Sequence, residues 1–187
     1  MMAIARGAAL IYTDGSTISM LPRNFVYLGK GSILGIPILV LIFLAIGIVA
    51  HIMMSNTRLG RHIYAIGGNE QAAIVSGIST KKVKIFVFAF AGCLYAIGGT
   101  LLAARLDSGY PLSGHGYELD AIAATVLGGN RLMGGSGTIY QSVIGALIMV
   151  MLNNALDLMD VNPFFQFVAK GIVIILATLG SIKGIVK

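Results

Sequence analysis

The 187 residues are 57% hydrophobic and only 11% charged, with a mean hydropathy of +0.89, whereas about a quarter of the residues in a soluble domain carry charge. That balance excludes an ordinary water-soluble enzyme and puts most of the chain in a bilayer. The net charge of +6 does not mark a nucleic-acid-binding face, because the basic residues flank short connections between apolar runs.

Residues 1–31 read as a partial helix, already under way at Met1, followed by an external loop. Arg6 sits in the middle of the opening segment and no small-residue cleavage site follows it, so it is not a secretory signal. Thr13-Asp14-Gly15-Ser16 and Leu21-Pro22-Arg23-Asn24 carry turn chemistry. Residues 32–54 hold no charge and are long enough to cross a hydrocarbon core of about 30 Å at about 1.5 Å per residue. Arg58, Arg61, Lys81, Lys82 and Lys84 then face a single acid, Glu70, across residues 55–84, which puts that loop in the cytoplasm. Residues 85–104 return outward, with Arg105 able to snorkel to the interface. Residues 106–116, containing Asp107 and Pro111, form an external loop.

Residues 117–133 open with Glu118 and Asp120 and are only marginally long enough to span. Read as an inward crossing, they leave Arg131 and the Gly134-Gly135-Ser136-Gly137 turn in the cytoplasm; a re-entrant segment is the alternative. Residues 138–156 then run outward to Asp157 and Asp160, and residues 163–179 come back in, leaving Lys183 and Lys187 on the positive side. The expected architecture is all-α: one polytopic helical membrane domain over residues 1–187, with about five membrane segments after the partial first helix.

No catalytic constellation emerges. His51, His62 and His115 fall in three separate elements without metal-ligand spacing, and Cys93, the only cysteine, lies within a span, so neither a metal site nor an intrachain disulfide is expected. Gly134-Gly135-Ser136-Gly137-Thr138 lacks the lysine of a phosphate loop, which argues against a nucleotide site. Gly92, Ala96, Gly99 and Ala103 share one helical face, and Ser142, Gly145, Met149 and Asn153 another; close helix packing is the reading for the first. Asn153 and Asn154 could bond a hydroxylated solute or act as amide glue between helices. Glu118 and Asp120 could face a solute or cation, but acids at a helix start also complement its positive dipole end. Lys170, about 10 Å inside the last span, needs a polar neighbour or must snorkel.

The cytoplasmic loop carries the most coherent local signals. Asn69 suits an N-cap, Glu70 and Gln71 a first turn, Ala72 and Ala73 a helix interior, and Gly77 a stop, giving about two turns of helix outside the bilayer. Its alanines make a shallow surface that fits a groove, with Ile74 as an apolar anchor; the plainer reading is a connector.

The chain resembles the membrane permease subunit of bacterial ATP-binding-cassette importers for monosaccharides, the ribose, xylose and galactose group. The matching residues are Thr57-Arg58-Leu59-Gly60-Arg61, Tyr64-Ala65-Ile66-Gly67-Gly68-Asn69-Glu70, Gly116-Tyr117-Glu118-Leu119-Asp120-Ala121-Ile122-Ala123-Ala124 and Val126-Leu127-Gly128-Gly129. Leu152-Asn153-Asn154 and Asn162-Pro163-Phe164 extend the resemblance toward the C-terminus. It implies a permease of the bacterial inner membrane that pairs with a second copy and is surrounded by lipid. The implied partners are a cytoplasmic ATPase, which holds ATP and magnesium, and a periplasmic or lipid-anchored sugar-binding protein; this chain would carry no cofactor. Gly67, Gly68, Asn69, Glu70, Ala72, Ala73, Ile74 and Gly77 then correspond to the coupling helix seated in an ATPase groove, and Glu118, Asp120, Asn153, Asn154 and Lys170 are candidates for the translocation path or for helix glue. The resemblance also implies that the family's first several spans are missing. A transport-inactive fragment that still binds the ATPase is therefore the alternative, and an ion-driven transporter, which needs acids within its spans, ranks third.

Overall fold

The computed structural model describes residues 2–162, 164–168, 170–172 and 175. About half of the expected last span over residues 163–179, namely residues 163, 169, 173, 174 and 176–179, lies outside them, as do Lys183 and Lys187. The chain forms two compact units, Met1–Ile48 with Lys84–His115, and Val49–Val83 with Gly116–Lys187.

In the first unit, α1 (Met2–Thr13) ends where Asp14 and Gly15 take positive φ angles. The following strand β1 (Ile18–Ser19) pairs antiparallel with β4 (Ser108–Gly109). The expected external loop contains a helix, α2 (Arg23–Lys30), which directly follows Pro22. Proline lacks an N–H and so loses nothing at a helix start. Gly29 lets α2 lie on the backbone of α6 (Thr80–Leu106): a Cβ there would overlap the main chain of Ala104 and Arg105. Ala104 is correspondingly fully buried, and Lys30 reaches Asp107 just beyond the end of α6 at 3.7 Å.

The first long helix, α3, covers Ile38–Asn56 and so starts later than residue 32. The preceding residues form a small hairpin, β2 (Ser32–Ile33) against β3 (Ile36–Pro37). Leu34 and Gly35 both have positive φ at its turn, the conformation that a two-residue hairpin with right-handed strand twist requires. Hydropathy alone cannot see this, because Ile33, Leu34 and Ile36 are as apolar as the helix that follows.

The second unit contains α4 (Arg58–Gly68), α5 (Glu70–Val75), α7 (Tyr117–Leu127) and α8 (Ile139–Leu158). Its core is Ala123, Ala124 and Met149, flanked by Leu127 and Ala146. Small residues set the spacing of the α7–α8 pair. A Cβ on Gly145 would overlap the Ala124 carbonyl, and one on Gly128 the Gln141 carbonyl. Of the expected α8 stripe, Gly145 and Met149 are buried in this contact. The α6 stripe behaves differently: added Cβ atoms at Gly92 and Gly99 would meet nothing within 4 Å.

Among the described residues, α3, α6 and α8 are long and apolar enough to cross a membrane, and the strands are two-residue pairs. The fold class is that of an all-α helical membrane protein. Most large apolar side chains on the long helices are exposed within the chain, as expected where lipid or further helices take the place of a core.

Candidate translocation and coupling site

The loop between α3 and α6 holds two helices rather than one. Thr57 caps the first: its hydroxyl accepts from the Gly60 N–H at 3.3 Å and donates to the Met53 carbonyl at 2.6 Å. Gly60 is buried where a Cβ would overlap the Met54 carbonyl, so α4 starts hard against the last turn of α3. Asn69 then separates α4 from α5. Its N–H donates to the Ala65 carbonyl at 3.0 Å, closing α4, and its side-chain oxygen accepts from the Ala72 N–H at 3.0 Å, opening α5.

Gly77, at φ +81°, ends α5. Its N–H donates to the Ile74 carbonyl at 2.9 Å and that of Ile78 to the Ala73 carbonyl at 3.0 Å, the paired closing bonds of a Schellman motif. The regular helix is therefore Glu70–Val75, six residues, shorter than the expected two turns over residues 68–77. Gly67 and Gly68 belong to α4. Ala73 is 3% exposed and packs inside the chain, so it is not part of a surface offered to a groove. The outward apolar residues are Ile74 at 48% and Val75 at 88% exposure, with Ala72 and Glu70 also exposed. Val75 was not singled out from the sequence, since an isolated β-branched residue near a helix end does not reveal which way it faces.

The second cluster forms where α7 meets α8 and the helical residues 164–168 and 170–172. Lys170 Nζ contacts Asp120 Oδ1 at 2.8 Å and donates to Oδ2 at 3.0 Å, with both side chains largely buried. The Asn153 amide donates to Asp120 Oδ2 at 3.4 Å, and its own carbonyl oxygen is buried without a hydrogen-bond partner among the described residues. Lys170 also lies 5.8 Å from the centre of the Phe167 ring. Asp120, Asn153 and Lys170 thus come together. Asn154 is exposed on another face of α8, because consecutive helix positions point about 100° apart. The Glu118 carboxylate turns back to accept the Gly116 N–H at 3.1 Å, as an acid at a helix start can.

The cluster borders a cleft of about 350 Å³ lined by Tyr117, Asp120, Ala124, Met149, Val150 and Asn153. Asn153 lies about 21 Å along α8 from Ile139 and about 7–8 Å before its end at helical rise, in the last third of an apolar helix of 20 residues. With 11 residues, α7 covers only about 16 Å and does not by itself cross a 30 Å core.

At the other end of α7 and α8, the loop between them meets α4. A Cβ on Gly67 would lie 2.6 Å from the Gly135 nitrogen, and one on Gly135 would lie 2.7 Å from the Gly68 Cα. The Tyr64 hydroxyl donates to the Gly137 carbonyl at 2.7 Å. The two glycine pairs were visible in the sequence; their contact was not.

Residues 3–178 match a family described as branched-chain amino acid transport system / permease component. The chain belongs to that family. Its relatives in this permease family include the ribose import permease protein of Bacillus subtilis (strain 168), 46% identical over 180 residues, 95% of this chain and 56% of that protein. The L-arabinose transport system permease protein of Escherichia coli (strain K12) is 38% identical over 178 residues, 95% of this chain and 54% of its own length. The xylose transport system permease protein of Haemophilus influenzae (strain ATCC 51907 / DSM 11121 / KW20 / Rd) is 47% identical over 143 residues, 76% of this chain and 38% of its own. The chain therefore matches little more than half the length of the ribose and arabinose permeases and 38% of the xylose permease. No solved structure matches it. Family membership and the three long apolar helices make it a multi-pass protein of the bacterial inner membrane.

Proposed function

We propose that this chain is the permease portion of an ATP-binding-cassette importer that carries a monosaccharide, a ribose-like pentose or a hexose, across the inner membrane. Energy comes from ATP hydrolysis on a separate cytoplasmic subunit, which binds the ATP and magnesium. A periplasmic or lipid-anchored binding protein delivers the sugar, and a second permease copy completes the path within the lipid. The observation that carries this reading is 46% identity to ribose import permeases over nearly the whole chain.

The geometry supports a division of labour. Basic residues around α4 and α5 support a cytoplasmic position for that loop, where Ala72, Ile74 and Val75 would offer a small apolar surface to the ATPase. The glycine loop after α7 lies beside α4 and so shares that side. From there α7, at about 16 Å, reaches only partway through a hydrocarbon core of about 30 Å. Asp120 and Asn153 border the cleft between α7 and α8, and its volume of about 350 Å³ falls within the range of small-molecule sites, about 300–1,000 Å³.

The test is uptake of labelled ribose, arabinose and xylose by cells lacking their own permeases. They would receive this chain, the remainder of a ribose permease, the ATPase and the binding protein. Saturable uptake of at least one sugar, abolished when this chain is omitted, is expected. Retention of the ATPase without uptake of any sugar would establish instead the transport-inactive fragment.

A further inference from the structure

We propose that the contact of Gly67 and Gly68 with Gly134 and Gly135, closed by the Tyr64–Gly137 hydrogen bond, is the joint that passes movement of α5 into α7 and α8. This rests on α5 being the helix that meets the ATPase, and it assigns Tyr64 and Gly135 as positioning residues for transport. At the joint the approach is backbone on backbone. A Cβ on Gly135 would lie 2.9 Å from the Gly68 nitrogen, and one on Gly134 3.2 Å from the Gly67 Cα. At these glycines backbone meets backbone, so a displacement of α4 there is not absorbed by a change of rotamer.

On the input side, Asn69 ties α5 to α4 through its N–H and its side-chain oxygen, and the two helices move as one body. On the output side, the loop is braced by Asn130. Its side-chain oxygen accepts from the Thr138 N–H at 2.9 Å, and its amide donates to Ser142 Oγ at 2.9 Å, in the first turns of α8. The Thr138 hydroxyl accepts from the Gln141 N–H at 3.2 Å and so caps the same helix. Beyond it, the glycine contacts and Met149 lock α8 to α7, whose far end carries Asp120. A push on α5 thus meets stiff contacts as far as the polar cluster.

The experiment compares Tyr64→Phe and Gly135→Ala with the unsubstituted chain in the assembled transporter, alongside Ala72→Arg as a control at the ATPase surface. Three quantities are read: ATPase co-purification, basal ATP hydrolysis, and stimulation of hydrolysis by binding protein loaded with ribose. Gly135 sits at φ +80°, so its variant carries backbone strain; Tyr64→Phe removes only a hydroxyl and keeps the proposal falsifiable if the other fails to fold. Stimulation is expected to fall about threefold to tenfold in Tyr64→Phe, the effect of losing one hydrogen bond of about 1 kcal/mol, with co-purification and basal hydrolysis unchanged. Full stimulation in Tyr64→Phe would overturn the joint, as would loss of ATPase binding, since the residue would then serve docking rather than transmission. Failure of the underlying assignment looks different: Ala72→Arg would keep both ATPase binding and stimulation.

Discussion

Replacing Lys170 with methionine leaves Asp120 with only the 3.4 Å contact from Asn153. Both members of the ion pair are mostly covered, at 13% and 21% side-chain exposure. Breaking a buried pair from one side costs about 3–5 kcal/mol, because the remaining charge keeps its desolvation penalty and loses its partner. Asp120→Leu in the intact chain should cost a similar amount, now through an uncompensated Lys170. The double variant removes both charges and should recover to within about 1–2 kcal/mol of the original, since apolar replacement of an entire buried pair is often neutral. A double-mutant cycle therefore gives a coupling energy of at least about 2 kcal/mol. The assay is the midpoint of thermal unfolding in nanodiscs, followed by loss of monodisperse protein, with Asn154→Ala as a reference substitution outside the cluster. Additive single effects below about 1 kcal/mol would show that the pair is solvated like a surface salt bridge and would refute the reasoning from burial.

Gly145→Val should destabilise the α7–α8 pair by roughly 2–4 kcal/mol through overpacking against the Ala124 carbonyl, whereas Gly99→Val should change the unfolding midpoint little; equal effects would mean that the α6 stripe is also an interface. Asn69→Ala should cost about 1 kcal/mol through loss of the α5 cap, read as faster amide exchange at Ala72. Ala72→Arg should abolish ATPase stimulation by loaded binding protein while leaving membrane insertion intact, whereas Val75→Ala should weaken ATPase co-purification only partly; normal stimulation in Ala72→Arg would remove α5 from the coupling role. Single cysteines at Gln71 and Ser108, in a Cys93→Ser background, should react with impermeant maleimide from opposite sides of the membrane, and reaction of both from outside would invert the topology.

Much of the local architecture was legible because it depends on short-range chemistry. Charge-free runs announced α3, α6 and α8; the amide of Asn69 and the conformational freedom of Gly77 marked the ends of α5. Where two local signals share the same composition, the sequence was ambiguous. The Leu34–Gly35 turn is as apolar as a span, and α2 has no acidic first turn to announce it.

Contiguous residues alone specify a helical membrane protein, the neighbourhood of its long helices and the permeases it resembles, because length, hydropathy and motif identity are local properties. Tertiary structure alone decided which face each short helix shows. It turned Ala73 inward and Val75 outward, and separated Asn153 from Asn154 by the turn of one helix. It paired Asp120 with a lysine 50 residues away and brought the Tyr64 hydroxyl to a carbonyl 73 residues away. Such contacts join segments that share no local pattern. They exist because glycine backbones can approach more closely than any side chain would allow, and because charged and amide groups away from water must find one another.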